Sequence, residues 1–74
     1  MPYVALKMWP KSEEIKKAAA EKLVDAIVES VGCPRGAVTV SIEEFAPEEW
    51  DEKVVKAEIE PKMDKVVVLN GENR

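Results

Sequence analysis

The sequence predicts an α/β chain built on a single βαβ unit. Two alternating apolar and polar runs, residues 2–8 and 37–43, flank one long stretch of helical periodicity. In the first run Val4, Leu6 and Met8 share one face, while Tyr3, Ala5 and Lys7 share the other, as in a half-buried strand. Trp9-Pro10-Lys11 interrupts this run. Ser12 then stands as an N-cap, with Glu13 and Glu14 in a first turn where the helix dipole favours negative charge. Ile15, Ala19, Leu23, Ala26 and Ile27 recur at helical spacing up to Val31. That is a helix of about nineteen residues, roughly 28 Å long. Gly32 suits the left-handed position after the last turn, and Pro34 prevents the helix from continuing. Cys33-Pro34-Arg35-Gly36 reads as a type I turn. The second strand follows, with Val38, Val40 and Ile42 on one face and Thr39, Ser41 and Glu43 on the other. Two strands joined by a helix of matching length should lie parallel, with a right-handed crossover.

The last third is less clear. Pro47 to Lys53 looks like a short helical turn with proline at its first position. Val54 to Ile59 fits a helix or a strand, and Pro61 is expected to end it. Val66-Val67-Val68-Leu69 reads as a third strand, expected to pair with another subunit. Asn70-Gly71 suits a tight turn, but only three residues follow, so about residues 70–74 are expected to fray. The whole of 1–74 reads as one domain.

Composition narrows the function. Cys33 is the only cysteine and histidine is absent, which removes disulfides and the usual zinc ligand sets. The acidic run Glu43, Glu44, Glu48, Glu49, Asp51 and Glu52 has the spacing of no metal loop and reads as a solvated face. Cys33 has no charge partner nearby beyond Arg35, which does not make a catalytic thiol. A net charge of −4 argues against a nucleic-acid partner. No apolar run approaches the ~20 residues of a membrane span, and the start is no signal peptide, so the expected location is cytoplasmic. One helix covers one face of a two-stranded sheet, leaving the other face and both edges in need of partners. A homo-oligomer is therefore expected.

Pro2 is the residue with the most chemistry to offer. Removal of Met1 would turn it into a free secondary amine at the end of a strand. An α-amino group titrates near roughly 7.7–8.0, and burial lowers that value because desolvation disfavours the charged form. Such an amine serves as a general base near pH 7 in a chain without histidine. A strand-opening proline with no chemistry is the ordinary alternative.

The segments Met1-Pro2-Tyr3-Val4, Ser12-Glu13-Glu14, Gly32-Cys33-Pro34, Val38 to Glu44 and Ala46-Pro47-Glu48-Glu49-Trp50 follow one another in a known order. In order and spacing they resemble the tautomerase superfamily of the 4-oxalocrotonate type. The Pro-Glu-x-Trp segment resembles the branch that includes dimeric phenylpyruvate-type tautomerases. The resemblance covers residues 1 to about 60 and fades in the tail. It implies a βαβ tautomerase fold completed by oligomerisation, a dimer first and a hexamer second. It also implies a cofactor-independent isomerase that interconverts the keto and enol forms of a 2-oxo acid, with Pro2 as the catalytic base.

Site roles carry over by position. Lys11 stands where many members have an arginine that binds the substrate carboxylate; lysine keeps the charge without the planar fork. Thr39 occupies the position of a second arginine and offers one hydroxyl donor in its place. Trp50 matches the aromatic wall, usually contributed by a neighbouring subunit. The alternatives are a solvated loop lysine, a surface threonine and an interface tryptophan. Two other functions stay open: addition of water to an unsaturated acid with protonated Pro2 as acid, as in hydratase and dehalogenase branches, and a non-catalytic oligomeric binding module.

Overall fold

The first strand, β1 (Tyr3–Met8), runs parallel to the second, β2 (Thr39–Glu44), with Tyr3 opposite Thr39 and Met8 opposite Glu44. The computed structural model describes residues 1–74. The period-two pattern in both runs produces this pairing, because it commits one side of each strand to apolar contact. The ladder extends beyond the strands: Thr39 N–H donates to the Pro2 carbonyl at 3.1 Å, and Phe45 N–H donates to the Met8 carbonyl at 2.9 Å.

The helix α1 (Glu13–Val31) makes the crossover, with the caps that the sequence predicts. Ser12 Oγ accepts from Ile15 N–H at 3.2 Å. Gly32 closes the other end in the left-handed conformation, φ 80°, and its N–H donates to the Val28 carbonyl at 3.1 Å. The inner face differs from the one the spacing suggests. Ile15 is 53% exposed and Ala26 is exposed, whereas Ala19, Ala20, Leu23, Val24, Ile27 and Val28 are half-buried. The stripe is rotated because Lys16 occupies its first position. Its side chain lies near Ile42, with its ammonium bound to Glu13 at 2.8 Å and Glu44 at 3.1 Å. The turn after α1 is a short 3₁₀ helix, Arg35–Ala37, instead of an isolated type I turn. The Arg35 guanidinium forms an ion pair with Asp25.

The second helical element, α2, resolves the ambiguity over Val54 to Ile59. It starts as an α-turn at Pro47–Trp50, widens to π-winding over Asp51–Ile59, and tightens to a 3₁₀ helix over Glu60–Lys65. Glu60 N–H reaches back five residues to the Val55 carbonyl. The π-winding ends at Ile59, and the backbone leaves helical geometry at Lys62 (φ −111°, ψ 22°), directly after Pro61, so the break falls where the proline is expected to put it. Pro61 itself sits in the first turn of the 3₁₀ segment, where a missing N–H costs no hydrogen bond.

The C-terminus also differs from expectation. Val68–Leu69 (β3) pairs antiparallel with Glu72–Asn73 (β4) of the same chain. Asn70 at φ 51° and Gly71 at φ 81° give the two left-handed residues that a tight hairpin requires. Residues 70–74 are held here and not frayed, because Arg74 donates from its guanidinium to the Met63 carbonyl at 2.6 Å and from its N–H to Val67 at 2.9 Å.

A single residue, Val54, is buried, at 3% exposure. The chain exposes 5749 Å² at 8.3 kDa. A folded monomer of that mass should expose about 4,600 Å², so roughly 1,100 Å² is in excess. No helix is long and apolar enough to cross a membrane.

Candidate active site

The sheet has two faces with different fates. One carries α1. The other, formed by Tyr3, Ala5 and Lys7 with Thr39, Ser41 and Glu43, is partly covered by α2. Between this face and α2 runs a groove of about 660 Å³, within the size range of small-molecule pockets. Tyr3, Ala5 and Lys7 line it from β1, and Trp50, Val54 and Glu58 line it from α2. The Tyr3 and Ser41 hydroxyls are hydrogen-bonded across the strands at 2.9 Å.

Electrostatics inside the groove centre on Lys7. Its ammonium contacts Glu58 Oε1 at 2.6 Å and lies 5.8 Å from the centre of the Phe45 ring. The Glu58 hydrogen bond holds Lys7 above the ordinary lysine value. Lys7, and then Lys62 at 3.1 Å, hold Glu58 below the usual carboxylate range. Lys7 is a groove residue that sequence reasoning assigned no role. Its face was legible from alternation, but its partner lies 51 positions away.

Of the four residues singled out from sequence, only Trp50 lines this groove. Its ring meets Phe45 edge-on, with centroids 6.5 Å apart and planes at 74°. Because Phe45 is bonded to Met8, Trp50 stands at the C-terminal end of the strands. Lys11 is at that same end: its backbone N–H donates to Glu44 Oε2 at 2.9 Å, and its side chain is exposed. Pro2 and Thr39 are joined at the opposite end by the Thr39 N–H to Pro2 carbonyl bond. A six-residue strand separates the two pairs, roughly 20 Å. A single chain therefore brings Pro2 to Thr39 and Lys11 towards Trp50, and does not bring the two pairs together. Pro2 is half-buried, and its nitrogen is an amide while Met1, 99% exposed, remains attached.

Other marked residues have plain surroundings. Glu44 and Glu49 of the acidic run are bound within the chain, to Lys11 N–H and Lys16, and to Lys53 and Ala46 N–H. Cys33 is a half-buried free thiol.

Comparison with known proteins agrees with this architecture. A family model described as tautomerase enzyme matches residues 2–58. Tautomerase PptA of Pectobacterium atrosepticum is 33% identical over 73 residues, covering 96% of each chain. Tautomerase PptA of Cronobacter sakazakii is 32% identical over 66 residues, covering 86% of this chain and 87% of that one. The 2-hydroxymuconate tautomerase of Comamonas testosteroni is 43% identical over 51 residues, covering 68% of this chain and 81% of that one. The matched span takes in β1, β2, the crossover helix and most of the π-wound segment, and on that ground the chain belongs to the tautomerase family of isomerases.

Proposed function

We propose that this isomerase ketonises the enol of a 2-oxo acid in a site assembled from two copies of the chain, with Pro2 as the base. The observation that carries this reading is the placement of Pro2 and Thr39 at one end of the sheet and Lys11 and Trp50 at the other. Each chain has a free strand edge on either side of β1 and β2. Antiparallel apposition of two such edges sets the Pro2 end of one chain against the Lys11 end of its neighbour. The excess exposed area supports assembly, since a standard interface buries about 800 Å² per partner. A dimer satisfies this geometry, and a trimer of dimers is the next arrangement.

Once Met1 is removed, the Pro2 nitrogen takes the proton of the enol hydroxyl. The O–H electron pair becomes the carbonyl π-bond, and the carbon–carbon π-pair receives the proton back from the Pro2 ammonium. Each transfer needs the nitrogen within about 2.6–3.2 Å of the proton's heavy atom. Lys11 attracts the substrate carboxylate as a point charge. The Thr39 hydroxyl donates to the oxygen where charge develops, and Trp50 excludes water. No step calls for a cofactor. We place the enzyme in the cytoplasm, a reading that rests on the lone reduced-type thiol Cys33.

Lys11 and Trp50 should leave different marks in an assay of phenylenolpyruvate ketonisation. Lys11→Ala removes a charge felt equally in ground and transition states, so it raises KM about tenfold with little change in kcat. Trp50→Ala admits water around the Pro2 amine. Weaker desolvation raises the pKa of a cationic acid, so the acidic limb of the kcat/KM profile moves to higher pH. A limb that stays in place while the rate falls would leave Trp50 as an interface anchor only. An unmoved KM in Lys11→Ala would pass the carboxylate role to another cation. A purified wild-type protein that ketonises no enol would leave the fold as a binding module.

A further inference from the structure

We propose that Glu44 is a positioning residue for the anion-binding loop, acting on substrate through Lys11. This rests on the reading of Lys11 as the carboxylate binder. The loop from Trp9 to Ser12 joins β1 to α1 and carries Lys11 on an exposed, irregular stretch. Glu44, the last residue of β2, is fixed by its register opposite Met8. Its Oε2 accepts the Lys11 backbone N–H at 2.9 Å, and its Oε1 accepts the Lys16 ammonium at 3.1 Å. Lys16 is anchored in turn to Glu13 in the first turn of α1. One carboxylate thus ties the loop to both the sheet and the helix.

The arrangement also weakens an electrostatic objection. A free carboxylate beside Lys11 would repel an anionic substrate. Here both oxygens of Glu44 are occupied by donors, and Lys16, shared with Glu13, offsets part of its charge; the Lys11 N–H first, then Lys16, hold this carboxyl below the usual range. With the loop held, the Lys11 side chain starts from a fixed Cα and samples a smaller volume. Without the clamp, the same charge is spread over more positions and the substrate carboxylate is held less often. The effect belongs to binding, so it falls on KM and leaves kcat nearly unchanged.

The test is a double-mutant cycle on phenylenolpyruvate ketonisation with Lys11→Ala, Glu44→Ala and both together, with Glu44→Gln and Glu44→Asp alongside. Glu44→Ala is expected to raise KM about fivefold, with no further rise when added to Lys11→Ala, the non-additivity of a shared route. Glu44→Gln keeps an oxygen for the Lys11 N–H and recovers most of that loss. Glu44→Asp keeps the charge but withdraws the oxygen, and raises KM as alanine does; it replaces alanine in the cycle if that variant does not fold. The proposal is overturned if Lys11→Ala raises KM while Glu44→Ala does not, if the two effects multiply, or if aspartate is tolerated and glutamine is not. A KM unmoved by Lys11→Ala overturns the underlying reading of Lys11, and the proposal with it.

Discussion

Replacing Pro2 with alanine is expected to lower enol ketonisation by about 10²–10⁴-fold, the usual contribution of a positioned acid–base group. The substitution leaves a terminal amine, so the loss reflects altered basicity and a freed position, not the removal of nitrogen. Alanine also loses the ring that fixes the backbone just before the Thr39 hydrogen bond. Intact mass should show wild-type protein lacking Met1, because a retained methionine leaves an amide with no basicity. Circular dichroism should show the variant folded. A variant that ketonises phenylenolpyruvate as fast as the wild type would exclude Pro2 as the base.

The second large effect is expected on dilution. With Val54 as the one buried residue, the isolated chain is expected to have too small a core to offset the entropy of ordering 74 residues. In the proposed assembly, burial of the excess area against another copy would supply the remainder. Folding and assembly should therefore be one transition, with a melting temperature that rises with protein concentration. Light scattering should find no folded monomer at micromolar concentration. A monodisperse folded monomer there, with a concentration-independent melting temperature, would remove the basis for a shared site.

What could be read in the sequence was local. The α1 caps were legible because Ser12 and Gly32 act within a turn of themselves, and the parallel strands because alternation is a property of neighbours. The residues of the family motif were legible as candidates, but their mutual placement was not. That Thr39 joins Pro2 while Trp50 joins Lys11 at the other end of the sheet depends on strand direction and register. The errors have long-range causes. The tail is tied down where Arg74 reaches Met63, eleven positions back, and Ile15 turns outward as Lys16 is drawn to Glu44, twenty-eight positions on. The ion pair of Lys7 and Glu58 left no periodic trace at all.

The separation of Pro2 from Lys11 has a genetic consequence. If each site takes its base from one chain and its cation from another, two defective alleles can repair one another. In a mixed dimer of Pro2→Ala and Lys11→Ala chains, one site receives both lesions and the other receives neither. Co-expressed chains should then recover activity at low substrate that neither homodimer shows. If base and cation came from the same chain, every site in the mixture would stay damaged, and no ratio of the two alleles would restore the rate.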